Sequence, residues 1–152
     1  MTRTLLTDEV RAHLGREVTY TAPEPLSAAA FRYFALAIGD DNPRWREGVA
    51  PPTFICESSQ YLDSRADLLS GGHHWDLPVA GCRLLRGGHE YEFFRPVRAG
   101  DHIRVTWRLA DMIERRSATG RSMLIVTSEA RYATTAGEAL AFNRETLIYQ
   151  EL

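Results

Sequence analysis

The chain has 152 residues, 44% of them hydrophobic and 25% charged, which suits one domain over residues 1–152 and excludes collagenous and disordered classes. Eighteen basic residues against twenty acidic ones leave a formal charge of −2, so neither nucleic acid nor an anionic membrane is expected as a partner. No apolar run is long enough to span a bilayer, and Asp8 and Glu9 stand where a signal peptide would be apolar, so a cytoplasmic protein is expected.

In chain order, Glu17 to Tyr20 reads as a short extended piece, after which the N-terminal third reads as helical. Ser27 can cap a helix in which Phe31, Phe34, Ala35 and Ile38 recur at three- and four-residue intervals, and Gly39 ends it. Asp40 then sits just beyond a helix C-terminus. After the Pro51-Pro52 corner a second helix is expected from Phe54 to Leu69, carrying Ile55, Tyr61, Leu62 and Leu68, with Gly71-Gly72 as its stop. The irregular stretch from Ser70 to Cys82 reads as a pocket-rim loop.

The period then changes from helical to two. Ile103, Val105, Trp107 and Leu109 alternate with His102, Arg104, Thr106 and Arg108, the pattern of a strand with one buried face. Leu124 to Tyr132 and Leu140 to Tyr149 repeat it, with turns at Ser117 to Gly120 and Thr134 to Glu138. With Glu90 to Phe94 these strands are expected to form an antiparallel meander. Helices followed by strands argue for an α+β fold, an antiparallel sheet wrapped around a long central helix, which is the outline of a hot dog.

Three segments carry a family resemblance. Gly39-Asp40-Asp41-Asn42-Pro43-Arg44-Trp45 resembles the G-D-x-N-P-x-H segment of the (R)-specific enoyl-thioester hydratases, the MaoC-like hot-dog enzymes. Val49-Ala50-Pro51-Pro52-Thr53-Phe54 looks like the approach to the central helix in N-terminal-type MaoC dehydratase domains, and Leu84 to Asp101 is similar to a strand-turn segment of the same group. The resemblance implies a (3R)-hydroxyacyl-thioester dehydratase or enoyl-thioester hydratase of fatty-acid or polyketide-type metabolism. Its substrate would be an acyl-CoA or acyl-ACP. It implies a homodimer, or a heterodimer with a second hot-dog subunit, and no cofactor.

In that family an Asp and a His together hold the water or hydroxyl at the β-carbon. Here the Asp matches Asp40, but the His position is Trp45, whose indole has no proton to exchange near neutral pH. The Ala50-Pro51-Pro52 entry, where the Asp-His hydratases usually have alanine-histidine-glycine, resembles the acyl-binding subunits of heterodimeric (3R)-hydroxyacyl-ACP dehydratases, in which the partner supplies the Asp-His pair and the other hot dog shapes the acyl tunnel, and the missing His fits that arrangement. A noncatalytic acyl-binding subunit is thus the alternative to an enzyme active by itself.

Dehydration needs a base, a proton donor and donors for the thioester carbonyl. Asp40 is the candidate acid, or else Asp40 and Asn42 simply build an Asx-type turn before Pro43. His89, after Gly87-Gly88, is the best replacement base, against the reading of a solvated strand histidine. Asn42, Trp45, Pro52, Thr53, Phe54, Gly87 and Gly88 are the candidate substrate-binding residues, with the backbone amides of residues 54 to 56 as an oxyanion platform. Arg83, Arg86, Arg95 and Arg98 are weighed as phosphate readers against an ordinary charged strand edge. His73-His74 lack helical metal spacing, and Cys56 and Cys82 read as reduced thiols, so no metal is expected. Glu57 would be the carboxylate of a thioesterase, a reading that leaves the G-D-x-N-P run unexplained.

Overall fold

A computed structural model of the chain describes residues 3–56 and 75–152. Helix α1 (Asp8–Arg11) comes first, an element the sequence reading passed over. Thr7 caps it by accepting from the amide of Val10, and Asp8 and Glu9 place negative charge at its positive end. Strand β1 (Glu17–Thr21) follows, then helix α2 (Ala28–Ile38). Ser27 caps α2 through the amide of Ala30, and Gly39 closes it in the left-handed conformation at φ 70°.

Phe31 and Ala35 of α2 are buried as the spacing requires, whereas Ile38 is 53% exposed on the last turn, past the Ala35, Trp45 and Val49 contact. Pro52–Cys56 form a 3-10 turn. The remainder of the helix expected from Phe54 to Leu69 lies outside the described residues, as do Glu57, His73 and His74.

Strands β2 (Cys82–Phe93), β3 (Ile103–Arg116), β4 (Ser122–Thr134) and β5 (Ala139–Glu151) join β1 in one antiparallel sheet of order β1-β3-β4-β5-β2. The meander holds for β3, β4 and β5 but not for β2, which lies along the far edge of β5. The two tight hairpins occupy both edges of β4, and β1 takes the outer edge of β3. The outer edge of β5 is where β2 then finds its ladder.

One face of the sheet is the core. Leu124, Val126, Ala130 and Tyr132 alternate inward along β4, joined by Ile103, Val105 and Leu109 of β3 and by Ala141 and Leu147 of β5. Two apolar clusters share this face. Phe31, Phe54, Ile55 and Leu140 gather at one end, and Leu5, Val10 and Trp75 at the other.

Candidate functional site

The Asp40 to Arg46 segment is a chain of local hydrogen bonds. The Asp40 amide donates to Ala35 O at 2.9 Å, Asp40 Oδ1 accepts from the Asn42 amide at 3.0 Å, and Asn42 Oδ1 accepts from the Arg44 amide at 3.1 Å. Asn42 thereby caps a 3-10 turn over Pro43–Arg46, with Pro43 suited to its first position. Asp40 and Asn42 therefore build the Asx-type turn. The Asp40 side chain is half-buried and still lines a cleft of about 260 Å³ with Arg32, Tyr33, Leu36, Asn42 and Trp45.

The turn throws Trp45 inward, to 8% exposure against Ala35 and Val49. Its ring also lines a second cleft of about 270 Å³, formed with Pro51, Pro52, Phe93, Phe94 and Val97. Trp45 is the wall between the two.

His89 is placed elsewhere. A bulge between Arg86 and Gly88 shifts the register of β2 against β5, after which His89, Tyr91 and Phe93 oppose Glu145, Asn143 and Ala141. Gly87 is required there, since a Cβ would meet Thr146 Cγ2 at 2.8 Å and Thr146 O at 3.1 Å. The three rings stack in a ladder, with centroids 5.5 Å apart for His89 and Tyr91 and 5.8 Å for Tyr91 and Phe93. Tyr91 Oη and His89 Nδ1 lie 3.2 Å apart, and His89 Nε2 is 3.7 Å from Glu145 Oε1. Glu145, 6% exposed, is held by Arg86 Nη1 at 2.7 Å.

Asp40 lines the first cleft, whereas His89 stands in the ring ladder beside Glu145. The ladder meets the second cleft only at Phe93. Glu145 and Asn143 are buried polar residues that the sequence reading did not single out. The signal was present, since they fall on the inward alternation of β5 between Ala141 and Leu147, where a polar residue is out of pattern.

Of the remaining candidates, Pro52 lines the second cleft and Thr53 is exposed. Phe54 requires a correction. It is 2% exposed and packs edge-on against Phe31 at 4.8 Å and Phe34 at 5.5 Å, which makes it core rather than pocket border. Its amide donates to Pro51 O at 3.0 Å, so the proposed oxyanion platform loses that donor to the 3-10 turn.

The arginines are largely committed to protein partners. Arg95 donates to Asp101 at 2.8 and 3.0 Å and to Glu138 at 2.8 and 2.7 Å, while Arg83 bonds Gln150 and Arg86 holds Glu145. Burial raises the Asp101 carboxyl, but hydrogen bonds from Arg95 and from the Arg98 amide outweigh it and hold the group below its ordinary range. Burial also pushes the Cys82 thiol up, the opposite of an activated nucleophile. Among the described residues, no group of three or more His, Cys, Asp or Glu is arranged to hold a metal, and no helix is long and apolar enough to cross a membrane.

Residues 12–142 match the family described as FAS1-like, dehydratase domain region. The chain belongs to that family. Within reach of this FAS1-like dehydratase domain are a UPF0336 protein of Thermobifida fusca, 31% identical over 141 residues (84% of this chain and 85% of that protein), and one of Parafrankia sp., 31% identical over 139 residues with the same coverage. The fold is similar to that of the ChsH1-ChsH2 complex from Mycobacterium tuberculosis, with TM-score 0.69, 18% identity, and 91% of this chain and 85% of that chain covered. It is also similar to the HadBC (3R-hydroxyacyl-ACP dehydratase) complex from the same organism, with TM-score 0.61, 23% identity, and 88% and 96% covered. The fold is accordingly a hot dog, with the antiparallel sheet expected of it.

Proposed function

We propose that this chain is the acyl-binding subunit of a (3R)-hydroxyacyl-thioester dehydratase, working in reverse as an enoyl-thioester hydratase, beside a second hot-dog subunit that supplies the Asp-His pair. The observation that carries this reading is the burial of Trp45 as the common wall of two clefts. An indole there offers apolar area and a hydrogen-bond donor but no base.

The work of the chain's residues follows from that. The second cleft, walled by Trp45, Pro51, Pro52, Phe93 and Val97, removes an acyl chain from water. The Asp40 carboxylate holds the turn that aims Trp45, through its bond from the Asn42 amide. Removal of the α-proton and protonation of the departing hydroxyl then belong to the partner's residues. Both Mycobacterium tuberculosis neighbours are complexes of two components, which supports a paired arrangement. Soluble CoA or ACP carriers place such an enzyme in the cytoplasm.

The test is hydration of a trans-2-enoyl thioester by the chain alone and by the chain copurified with a hot-dog protein bearing an intact G-D-x-N-P-x-H. Turnover is expected from the pair and not from the chain. Equal turnover by the chain alone would overturn the reading and return Asp40 to the chemical step.

A further inference from the structure

Among the described residues, Trp45 carries a polar atom with nothing to bond. Its Nε1 is closed to water and has no hydrogen-bond partner among the described residues. Trp75 shows the ordinary solution, donating Nε1 to Ser128 Oγ at 2.7 Å within the core. A buried donor left unpaired loses its water without compensation, so folded proteins retain few of them. If Trp45 were only a wall, a phenylalanine would supply the apolar area without that penalty.

The surroundings point the same way. The ring separates two clefts, and the larger is lined mostly by Pro51, Pro52, Phe93, Phe94 and Val97. Arg44 and Arg95 also border it, and the Arg95 guanidinium is taken by Asp101 and Glu138. The indole is thus a donor beside a mostly apolar groove. The χ2 torsion of tryptophan is broad, which leaves the indole a rotation by which Nε1 could meet a chain in the groove.

We propose that Trp45 Nε1–H donates to the 3-hydroxyl oxygen of a bound (3R)-hydroxyacyl thioester, making Trp45 the residue by which this subunit tells a hydroxyacyl chain from a saturated or enoyl one. The inference rests on the acyl-binding reading above and adds the group that is recognised. The proton stays on the indole throughout, so the bond binds and orients without taking part in the chemistry. Dehydration removes the acceptor, and the enoyl product is then held less tightly than the substrate.

The test uses pantetheine thioesters of a (3R)-3-hydroxyacyl chain and of the saturated chain of equal length, titrated into the purified protein in its native oligomeric form. Wild type should prefer the hydroxyacyl ligand about tenfold, the scale of one hydrogen bond that also relieves a buried donor. Trp45→Phe should keep affinity for the saturated ligand and lose the preference. Should that variant fail to fold, the wild-type protein answers by itself when its three tryptophans are labelled with ¹⁵N. The Trp45 indole N–H should move downfield with the hydroxyacyl ligand only, while that of Trp75, already bonded to Ser128, stays in place. Equal shifts with both ligands, or an undiminished preference in Trp45→Phe, would overturn the assignment. Lack of turnover with a catalytic partner bears instead on the dehydratase reading, because these readouts are of binding alone.

Discussion

Replacing Arg95 by methionine should cost this protein about 2–3 kcal/mol of stability, from the loss of charge-assisted hydrogen bonds worth about 1.5–3 kcal/mol. Methionine keeps most of the stem against the Pro96 and Val97 wall of the cleft and removes the guanidinium. The bonds at issue are those to Asp101, at 2.8 and 3.0 Å, between side chains that are 26% and 16% exposed. Asp101 retains only the Arg98 amide at 2.8 Å. The pair with Glu138 adds little, because Glu138 stands in water, so Glu138→Gln should be far milder. For a domain of this size the Arg95→Met loss is a fall in Tm of roughly 5–10 °C. Urea unfolding at fixed protein concentration measures it, as a shift in midpoint at constant slope.

The pH dependence is the sharper check. Asp101 has a carboxyl held below its unfolded value near about 3.9, so its contribution is complete above that pH. It is lost as pH falls through the lower folded-state value. The gap between wild type and Arg95→Met should therefore be level from about pH 5.5 to 8 and narrow below about pH 4. A gap that persists unchanged at pH 3, or no gap at neutral pH, would refute the clamp.

Three further outcomes are expected. Asp40→Asn should leave kcat of the partnered enzyme within about threefold, because the amide oxygen can keep the turn; a loss of about a hundredfold, the scale of general acid catalysis, would make Asp40 a chemical group. Ser128→Ala removes the hydroxyl that accepts from the buried Trp75 indole and should destabilise by about 1–3 kcal/mol in urea, with an unchanged midpoint disproving that bond's importance. Gly87→Ala should cost about 1–3 kcal/mol by crowding Thr146, and Thr146→Ala in the same chain should recover the part due to Cγ2. Recovery of nothing would place the strain in the backbone alone.

Much of the architecture is written in contiguous residues. The alternation from Ile103 to Leu109, the turns at Ser117 to Gly120 and Thr134 to Glu138, and the Ser27 and Gly39 caps each depend on neighbours a few positions away. The same holds for the Asx turn at Asp40 and Asn42, whose bonds span two residues. That is why β3, β4, β5 and α2 were legible before any coordinates, and why the G-D-x-N-P run marked a turn.

Other features arise only when distant segments meet. The pairing of β2 with β5 follows from which strand edges the hairpins leave open, a property of the whole sheet. Phe54 sits within a plausible pocket motif, yet Phe31 and Phe34 claim it for the core. Asp40 and His89 both carry chemistry suited to an acid–base pair, but one lies in the turn after α2 and the other in the ladder on β2. The lack of a partner for Trp45 Nε1 among the described residues and the pairing of Glu145 with Arg86 are equally invisible one-dimensionally. Local hydrogen bonds and periodicity act over a turn of chain, whereas burial and the pairing of polar groups are decided by whichever residues the fold brings alongside.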